Sequence, residues 1–274
     1  MHDHPRLRSA RPRPPGNSRI TRKTVAKLPS TPTKFSRSSA ASSFAGIPMG
    51  DARRFIGVDV QTSRGCAFAV LDEHGVAVAS GWLPRNDSAG AKSALLGIVR
   101  RQSDGAAHSV LVGIDAPRQP LRMRREWYWD GGRSVWRRAR ESDKGIGRHC
   151  EVVIAAHRLA SPQWTPFAID AKSWMKLGFE LYDMPREEAE VHEVFPSASY
   201  AQLRGDPVAR LGVDLSQFAG GAKDMLDAHV AAYTVREFAL GRGTAVGGGD
   251  SLGEIALPRP LKVPKPEVLR WPSG

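Results

Sequence analysis

The stretch Phe-Ile-Gly-Val-Asp at 55–59 is an apolar run that ends in an acid, and Val-Leu-Val-Gly-Ile-Asp at 110–115 repeats this pattern. Both runs have the length and composition of β-strands that are buried on both faces. A carboxylate at the end of a buried strand is unfavourable unless another group compensates its charge. We therefore expect Asp59 and Asp115 to lie together around a shared divalent cation.

Acids also accompany two further predicted elements. Glu193 lies in a predicted strand at 190–195, and alternation places it on the opposite face from its two neighbours. Asp224 and Asp227 stand three positions apart at the start of an amphipathic helix, so they share one side of it. We expect Asp59, Asp115, Glu193 and Asp227 to be catalytic, and the same four together with Asp224 to be metal ligands.

Each of these acids also has a purely structural interpretation. Asp59 can accept hydrogen bonds at a strand end, and Asp115 can simply end a strand before a turn. Glu193 can lie on a solvated face, and Asp224 can stabilise the first turn of its helix through the helix dipole. Asp227 is the hardest to explain in this way, because the residues around it are small or apolar.

The charge of the chain is concentrated at one end. The sequence has 274 residues and a formal net charge of +12, but residues 1–52 contain ten basic and two acidic residues. This segment is rich in Pro, Ser and Arg, a composition that predicts a disordered tail. It is interpreted either as an arm that binds phosphates or, preferably, as an artefact that precedes the true start at Met49.

Cysteine content and hydropathy restrict the class of protein. The two cysteines, Cys66 and Cys150, are far apart in the sequence, so neither a disulfide framework nor a paired metal site is expected. No apolar stretch reaches the length of a membrane span, and no membrane partner is expected. A reducing cytoplasmic location is therefore predicted.

The order of predicted elements indicates an α/β fold. Strands at 54–60, 65–71 and 76–82 form an antiparallel three-strand meander. Next come a helix capped by Asn86 or Ser88 and then a strand at 109–115. Later elements are a strand at 190–195, a short helix that Ser197 caps, a last helix at 222–240 and one possible edge strand at 254–257. The Gly-rich residues 241–249 and the Pro-rich residues 258–272 are predicted to be a surface tail. The predicted domain covers 53–260, with a C-terminal tail at 261–274.

Residues 117–186 are predicted to form an insertion that contains a helix near 147–159. It contains nine arginines between Arg118 and Arg148, interleaved with aromatic residues. Arginine forks bind phosphate and aromatic faces stack on bases, although Arg and Trp also pack together in ordinary insertions. The residues expected to contact nucleic acid are Arg118, Arg122, Arg124, Arg125, Trp127 and Trp129, together with Lys223 of the last helix.

Four motifs in this order resemble a known family. They are Gly-Val-Asp at 57–59, Gly-Ile-Asp-Ala-Pro at 113–117, Glu-Val-Phe-Pro-Ser at 193–197 and Asp-Met-Leu-Asp-Ala at 224–228. The chain resembles family 429 of the domains of unknown function, whose members are predicted nucleases with a ribonuclease H-like fold. The start of the last helix is also similar to that of Holliday-junction resolvases. The resemblance implies a ribonuclease H-like mixed sheet, a meander plus parallel strands, flanked by helices. It also implies metal ligation by Asp59, Asp115 and one or both of Asp224 and Asp227, with Glu193 nearby.

The expected function is metal-dependent hydrolysis of phosphodiester bonds, with DNA and RNA both open as substrates. Oxygen ligands without paired His or Cys favour Mg²⁺ or Mn²⁺. In a two-metal site about 3.5–4 Å across, the ions activate water and stabilise the leaving oxygen. One alternative is a non-catalytic module that binds nucleic acid or acts in assembly. Another is a nucleotide-hydrolysing relative, but Ala116-Pro117 stands where such proteins need a Gly-rich phosphate turn.

Overall fold

The computed structural model describes residues 53–85, 88–103, 109–185, 187–209, 211–218 and 220–272. The predicted tail at 1–52, the proposed start at Met49 and the predicted helix cap Asn86 lie outside these residues. Within them, no helix combines the length and apolar character that crossing a bilayer requires.

The described residues form an α/β fold with a seven-stranded sheet, a two-stranded sheet and flanking helices. The strands are β1 (Arg54–Asp59), β2 (Ala67–Leu71), β3 (Ala77–Trp82), β4 (Val110–Asp115), β5 (Trp127–Asp130), β6 (Val135–Arg138), β7 (Glu190–Val194), β8 (Thr244–Gly247) and β9 (Glu254–Leu257). The helices are α1 (Ser88–Gln102), α2 (His149–Ala156), α3 (Ser173–Leu181), α4 (Pro196–Leu203), α5 (Ala222–Ala239) and α6 (Pro266–Leu269).

The large sheet is mixed and has the order β3-β2-β1-β4-β7-β9-β8. The first three strands form the predicted antiparallel meander. β1, β4, β7 and β9 are parallel to one another, and β8 returns antiparallel to β9 at the edge. The apolar runs that begin at Arg54 and Val110 are thus two adjacent central strands, as their burial on both faces requires.

Alternation along the strands gives the sheet two different apolar faces. Ile56, Val58 and Ile114 pack with residues of α1 and α3 on one face. Phe55 and Leu111 pack with residues of α5, including Ala231 and Val235, on the other. The long helix α5 therefore covers the face towards which every second residue of β1 and β4 points, and these include the two strand-end aspartates.

The C-terminal region differs from its prediction as a surface tail. The Gly-rich stretch 241–249 contains β8, so the predicted edge strand at Glu254–Leu257 lies inside the sheet. The Pro-rich stretch contains α6, whose Val268 is fully buried. Trp271 packs edge-on against Trp136 with ring centroids 5.0 Å apart. Four-residue elements flanked by Gly and Pro have too little periodicity for prediction, and tertiary contacts stabilise them instead.

The predicted insertion is also more ordered than expected. It contains the β5–β6 hairpin, in which Trp127 pairs with Arg138 and Trp129 with Trp136. Its predicted helix near 147–159 is shorter, His149–Ala156, and α3 follows at Ser173–Leu181. The hairpin contacts the rest of the domain through aromatic rings, because Trp129 and Trp136 pack against the α2 cluster.

Candidate carboxylate site

Asp59 and Asp115 are direct neighbours on two parallel strands. The register pairs them at the last positions of β1 and β4. Adjacent strands lie about 4.8 Å apart, and paired residues project to the same face. The two carboxylates are therefore side by side, at the edge where the parallel strands end. Crevices at this edge are the usual ligand sites of open α/β sheets.

Two glycines explain why α5 can reach these acids. Gly57 and Gly113 precede Asp59 and Asp115 by two positions, so they share the face that α5 covers. A Cβ at Gly57 would lie 2.0 Å from the Ala228 carbonyl oxygen, and one at Gly113 would lie 2.8 Å from a Val235 methyl. The Gly-x-Asp pattern thus lets the backbone of α5 contact the sheet directly.

The first turns of α5 supply the other two aspartates of this face. Asp227 is buried, and the Tyr200 hydroxyl donates a hydrogen bond to its Oδ1 at 2.6 Å. The Lys223 ammonium forms an ion pair with Oδ2 of the same carboxylate. Asp224 lies nearer the rim, where Gln61 and Arg64 each donate to its Oδ2 at 2.5 Å.

Asp59 and Asp115 differ from the α5 aspartates in their lack of partners. Among the described residues, neither carboxylate accepts a hydrogen bond. Burial, followed by the negative charges of Asp227 and Asp224, raises the pKa of Asp59 to about 7. Burial, followed by Asp59 and Asp227, also raises the pKa of Asp115 well above its usual range. Two half-buried acids on adjacent paired positions cannot both ionise at low cost without a proton or cation between them.

Lys223 supplies a positive charge that lowers the pKa of both Asp59 and Asp115, against the effect of burial. Burial lowers the pKa of the lysine itself, but the stronger combined attraction of Asp227, Asp59 and Asp115 raises it. Its side chain is 75% exposed, so the ammonium compensates the acids from the solvent side. The sequence predicted Lys223 as a nucleic-acid contact, and the structure places it as the counter-ion of Asp227.

A cavity of about 420 Å³ opens beside the two strand ends. We call it the carboxylate cleft. It is lined by Asp59, Asp115 and Glu193 and by the segment that follows β1, residues 60–63. Its volume lies within the range of small-ligand sites. Acids thus line a solvent-accessible cavity at the carboxyl ends of three parallel strands.

Glu193 reaches this cleft from the other face of the sheet. It pairs with Ile114, whose side chain points away from α5. Arg148 holds both of its oxygens, with Nη1 donating to Oε2 at 2.7 Å and Nη2 forming an ion pair with Oε1. The Arg118 backbone amide also donates to Oε2 at 3.0 Å. Glu193 therefore lines the same cleft as Asp59 and Asp115, but it projects from the opposite face of the sheet and is neutralised by a buried arginine.

Glu151 completes this second acidic group. Arg148 Nη2 donates to it at 3.0 Å, and the Thr165 backbone amide donates to its other oxygen, also at 3.0 Å. Arg148 is almost completely buried, with 1% of its surface exposed. Burial raises the pKa of Glu193, and the charge of Arg148 opposes that shift. Such a buried, fully bonded network positions strand ends and loops.

The donor set of the aspartates suits a hard divalent cation. Asp59 and Asp115 present unpaired carboxylate oxygens, which are the ligands that Mg²⁺ and Mn²⁺ prefer. Within the described ranges, no three or more His, Cys, Asp or Glu side chains form a ready metal-binding group. This agrees with the contacts of Asp224 and Asp227, whose carboxylates are turned to Arg64 and Lys223.

Searches of protein-family profiles, of curated proteins and of solved structures found no match to this chain.

The residues predicted to contact nucleic acid occupy different environments. Arg118 is tied to β7, because its guanidinium donates to the Val191 carbonyl. Trp129 packs in the α2 cluster, with its ring centroid 5.5 Å from that of Trp136. In contrast, four of the predicted residues line a separate pocket: Arg122, Arg124, Arg125 and Trp127.

Several residues that shape the site were not predicted. Tyr200 and Arg148 bind the buried carboxylates, and the Tyr182 hydroxyl donates to carbonyl oxygens on both sides of Asp115, at 3.0 and 2.9 Å. Only Arg148 had a signal in the sequence, because Glu151 follows it at the i, i+3 spacing of a helical ion pair. The partners of the two tyrosines are distant in sequence and have no local pattern.

Proposed function

We propose that this chain is a Mg²⁺- or Mn²⁺-dependent nuclease with a ribonuclease H-like fold, related to family 429 of the domains of unknown function. The observation that supports this most directly is the pair Asp59 and Asp115. Their unpartnered, half-buried carboxylates stand side by side at the strand ends, facing the acids of α5. Such a group of hard oxygen donors at the edge of a cleft suits the binding of divalent cations.

The sheet topology supports the proposed fold. An antiparallel meander leads into parallel strands in the order β3-β2-β1-β4-β7, and a long helix crosses β1 and β4. The family resemblance implies a meander plus parallel strands flanked by helices, and the observed mixed sheet is compatible with that expectation. Asp59 lies on the first strand and Asp115 on the fourth, and Asp227 lies on the crossing helix.

Each residue has a defined part in the proposed site. Asp59, Asp115 and Asp227 would hold the cations, which in such sites activate water and stabilise the leaving oxygen. Tyr200 positions Asp227 through its hydroxyl. Lys223 compensates Asp227 when no cation is bound. Gln61 and Arg64 hold Asp224 at the rim, and Arg148 holds Glu193 at the opposite wall of the cleft.

The test combines Mn²⁺ calorimetry with cleavage assays on the full chain. Single strands, duplexes, RNA–DNA hybrids and junctions are incubated with Mn²⁺ or with EDTA. We expect Asp115→Asn and Asp59→Asn to lose heat of Mn²⁺ binding and to reduce cleavage by about a thousandfold or more. The matched control is Asp183→Asn, an exposed partner of Lys92 that does not line the cleft, which should keep both properties. Cleavage by Asp115→Asn at the parent rate would exclude the proposed site.

The second candidate is a non-catalytic module that binds nucleic acid. One contact favours it: Lys223 forms an ion pair with Asp227, so this carboxylate has a counter-charge supplied by the protein itself. In this case calorimetry should detect no Mn²⁺ binding, and no substrate should be cut at any cation concentration. A nucleotide hydrolase is disfavoured, because buried Ala116 and Pro117 follow Asp115 in place of a flexible phosphate-binding turn.

A further inference from the structure

A second cavity of about 480 Å³ lies in the Arg- and Trp-rich segment. We call it the arginine pocket and define it by Arg122, Arg124, Arg125, Trp127 and Trp271, which line it. It contains none of the aspartates of the carboxylate cleft. Its volume lies within the range of sites for small ligands. The chemistry of its walls can therefore be considered separately from that of the cleft.

The positive charges of this pocket are incompletely compensated. It contains three arginines and two acids, Glu126 and Asp250. Arg138, outside the pocket, forms an ion pair with Glu126 at 2.9 Å. Asp250 accepts hydrogen bonds from the backbone amides of His149 and Leu252, at 2.6 and 3.1 Å. The local balance is basic, and both acids already have donors.

Arg125 has donors without acceptors. Its Nε and Nη1 are buried, and among the described residues neither has a hydrogen-bond partner. The Arg125 guanidinium packs over the rings of Tyr128 and Trp164, with its central carbon 4.0 and 5.6 Å from the two ring centroids. Burial lowers the pKa of this guanidinium. Buried donors of a charged group are expensive to leave unsatisfied, so an anion that enters the pocket and hydrogen-bonds this guanidinium would remove an existing energetic cost.

The other two arginines surround this position. Arg124 is braced by a hydrogen bond from Nη2 to the Asp143 carbonyl at 2.6 Å. Arg122 is exposed, and among the described residues it forms no hydrogen bond or ion pair. Guanidinium forks match the geometry of phosphate oxygens. The three side chains together place three guanidinium groups around the pocket. Those of Arg124 and Arg125 are held by contacts within the protein, and that of Arg122 is exposed.

Aromatic surface lines the same pocket. Trp127 and Trp271 contribute to its walls, and both side chains are half-buried. The Trp127 ring lies under the Arg138 guanidinium at 4.2 Å, which holds it in place. Indole faces stack on unpaired bases, whereas the bases of a duplex are already stacked and do not reach a concave pocket. The combination of arginine forks with indole walls selects a phosphate joined to an exposed base.

We infer that the arginine pocket binds an unpaired nucleotide of a single-stranded nucleic acid, with the phosphate on Arg122, Arg124 and Arg125 and the base against tryptophan. This inference deepens the proposed function by naming single strands as the substrate class. The segment from Pro117 to Met123 joins the end of β4 to this pocket: Pro117 lines the carboxylate cleft, and Arg122 and Met123 line the arginine pocket.

The test measures binding of the full chain to a fluorescein-labelled single strand of 12 nucleotides by anisotropy in EDTA, where cleavage by the cleft is blocked. Arg122→Gln should weaken binding about threefold to tenfold and reduce the salt slope by about 0.7, the value for one phosphate contact on a single strand. Arg125→Lys keeps the charge but removes the fork, so it should weaken binding with little change in slope. Trp127→Leu should weaken binding about tenfold through lost stacking.

The matched control is Arg101→Gln at the exposed C-terminal end of α1, which removes one positive charge outside the pocket and should bind like the parent. Thermal melts verify that each variant is folded. If Arg125→Lys fails to fold, Arg122→Gln still tests the inference, because Arg122 is exposed. Three outcomes would overturn the inference. A duplex could bind as tightly as the single strand, a free nucleoside monophosphate could compete as well as an unlabelled single strand, or Arg122→Gln could bind like the parent. Binding that persists in EDTA without any cleavage in Mn²⁺ would remove the proposed nuclease function and leave this site intact.

Discussion

Two pairs of carboxylates near the strand ends differ in what neutralises them. Glu151 and Glu193 share the guanidinium of buried Arg148 and accept further backbone hydrogen bonds. Asp59 and Asp115 have no such partner among the described residues, and their pKa values are raised. The first pair has the properties of a structural network, in which every acceptor is used. The second retains carboxylate oxygens without a partner beside an open cavity, as expected of a ligand site.

The strongest test of this contrast removes the shared arginine. Arg148→Met leaves Glu151 and Glu193 buried without a counter-charge, and we expect a loss of about 3–5 kcal/mol of folding free energy. Urea denaturation measures it. The control, Arg138→Met, breaks an exposed pair with Glu126 and should change stability by about 0.5 kcal/mol or less. If Arg148→Met is as stable as the parent, the network has no structural role. Adding Glu151→Gln and Glu193→Gln should restore part of the loss.

The contact between α5 and the sheet provides the next test. Gly57→Ala places a Cβ 2.0 Å from the Ala228 carbonyl oxygen and 2.3 Å from the Ala232 amide nitrogen, so α5 has to move. We expect a loss of about 3 kcal/mol and weaker Mn²⁺ binding, since Asp227 moves away from Asp59. Gly212→Ala is the control, because nothing lies within 4 Å of its added Cβ. Parent-like unfolding of Gly57→Ala would contradict the observed close approach.

The raised pKa of Asp59 predicts a stability effect that depends on pH. Between its ordinary pKa of 3.8 and its folded value of about 7, the folded state holds a proton that the unfolded state has released. Folding stability from this group is therefore lost as pH rises through that interval. We expect Asp59→Asn to be more stable than the parent at pH 8, and this advantage should shrink as the pH falls towards 4.

Thermal melts from pH 4 to 8 measure this difference. Asp183 provides a control of opposite sign, because its hydrogen bond to Lys92 lowers its pKa, so Asp183→Asn should not gain stability as pH rises. Mn²⁺ should raise the melting temperature of the parent more at pH 8 than at pH 5, because protons compete for the same oxygens. A difference between Asp59→Asn and the parent that does not change with pH would argue against an acid of raised pKa.

The smallest expected effect concerns Lys223. Lys223→Gln removes an exposed ion pair with Asp227, and we expect less than about 1 kcal/mol of destabilisation at pH 8 in EDTA. The same change removes a competing positive charge, so Mn²⁺ should bind several times more tightly. Calorimetry at constant pH distinguishes the two effects. Weaker Mn²⁺ binding by Lys223→Gln would instead indicate that the lysine supports the bound state.

The success of prediction followed the length and periodicity of each element. The last helix was expected at 222–240 and spans Ala222–Ala239, because small and apolar residues repeat over five turns. The central strands at Arg54 and Val110 were identified from unbroken apolar runs. β8 and the β5–β6 hairpin were not predicted, since four-residue strands show too few alternations to be recognised. Their pairing depends on segments that only the folded chain brings together.

The prediction of the site was similarly uneven. The grouping of Asp59 with Asp115 could be expected, because adjacent parallel strands bring their carboxyl ends together. Glu193 was expected in the same group and does line the same cleft, but its pairing with Ile114 places it on the other face of the sheet and next to Arg148. A shift of one position in register exchanges the two faces of a strand, and register is a property of the assembled sheet.

The sequence alone determined that the segments forming the two central strands are buried and that both end in an acid, because an unbroken apolar run is a local property of the chain. The tertiary structure decided which acids share a face and which receive a counter-charge. Arg148 and Glu193 are 45 positions apart, and Arg64 and Asp224 are 160 apart. Whether a buried carboxylate is neutralised depends on such distant neighbours, since electrostatic compensation acts through space and leaves no periodic trace in the sequence.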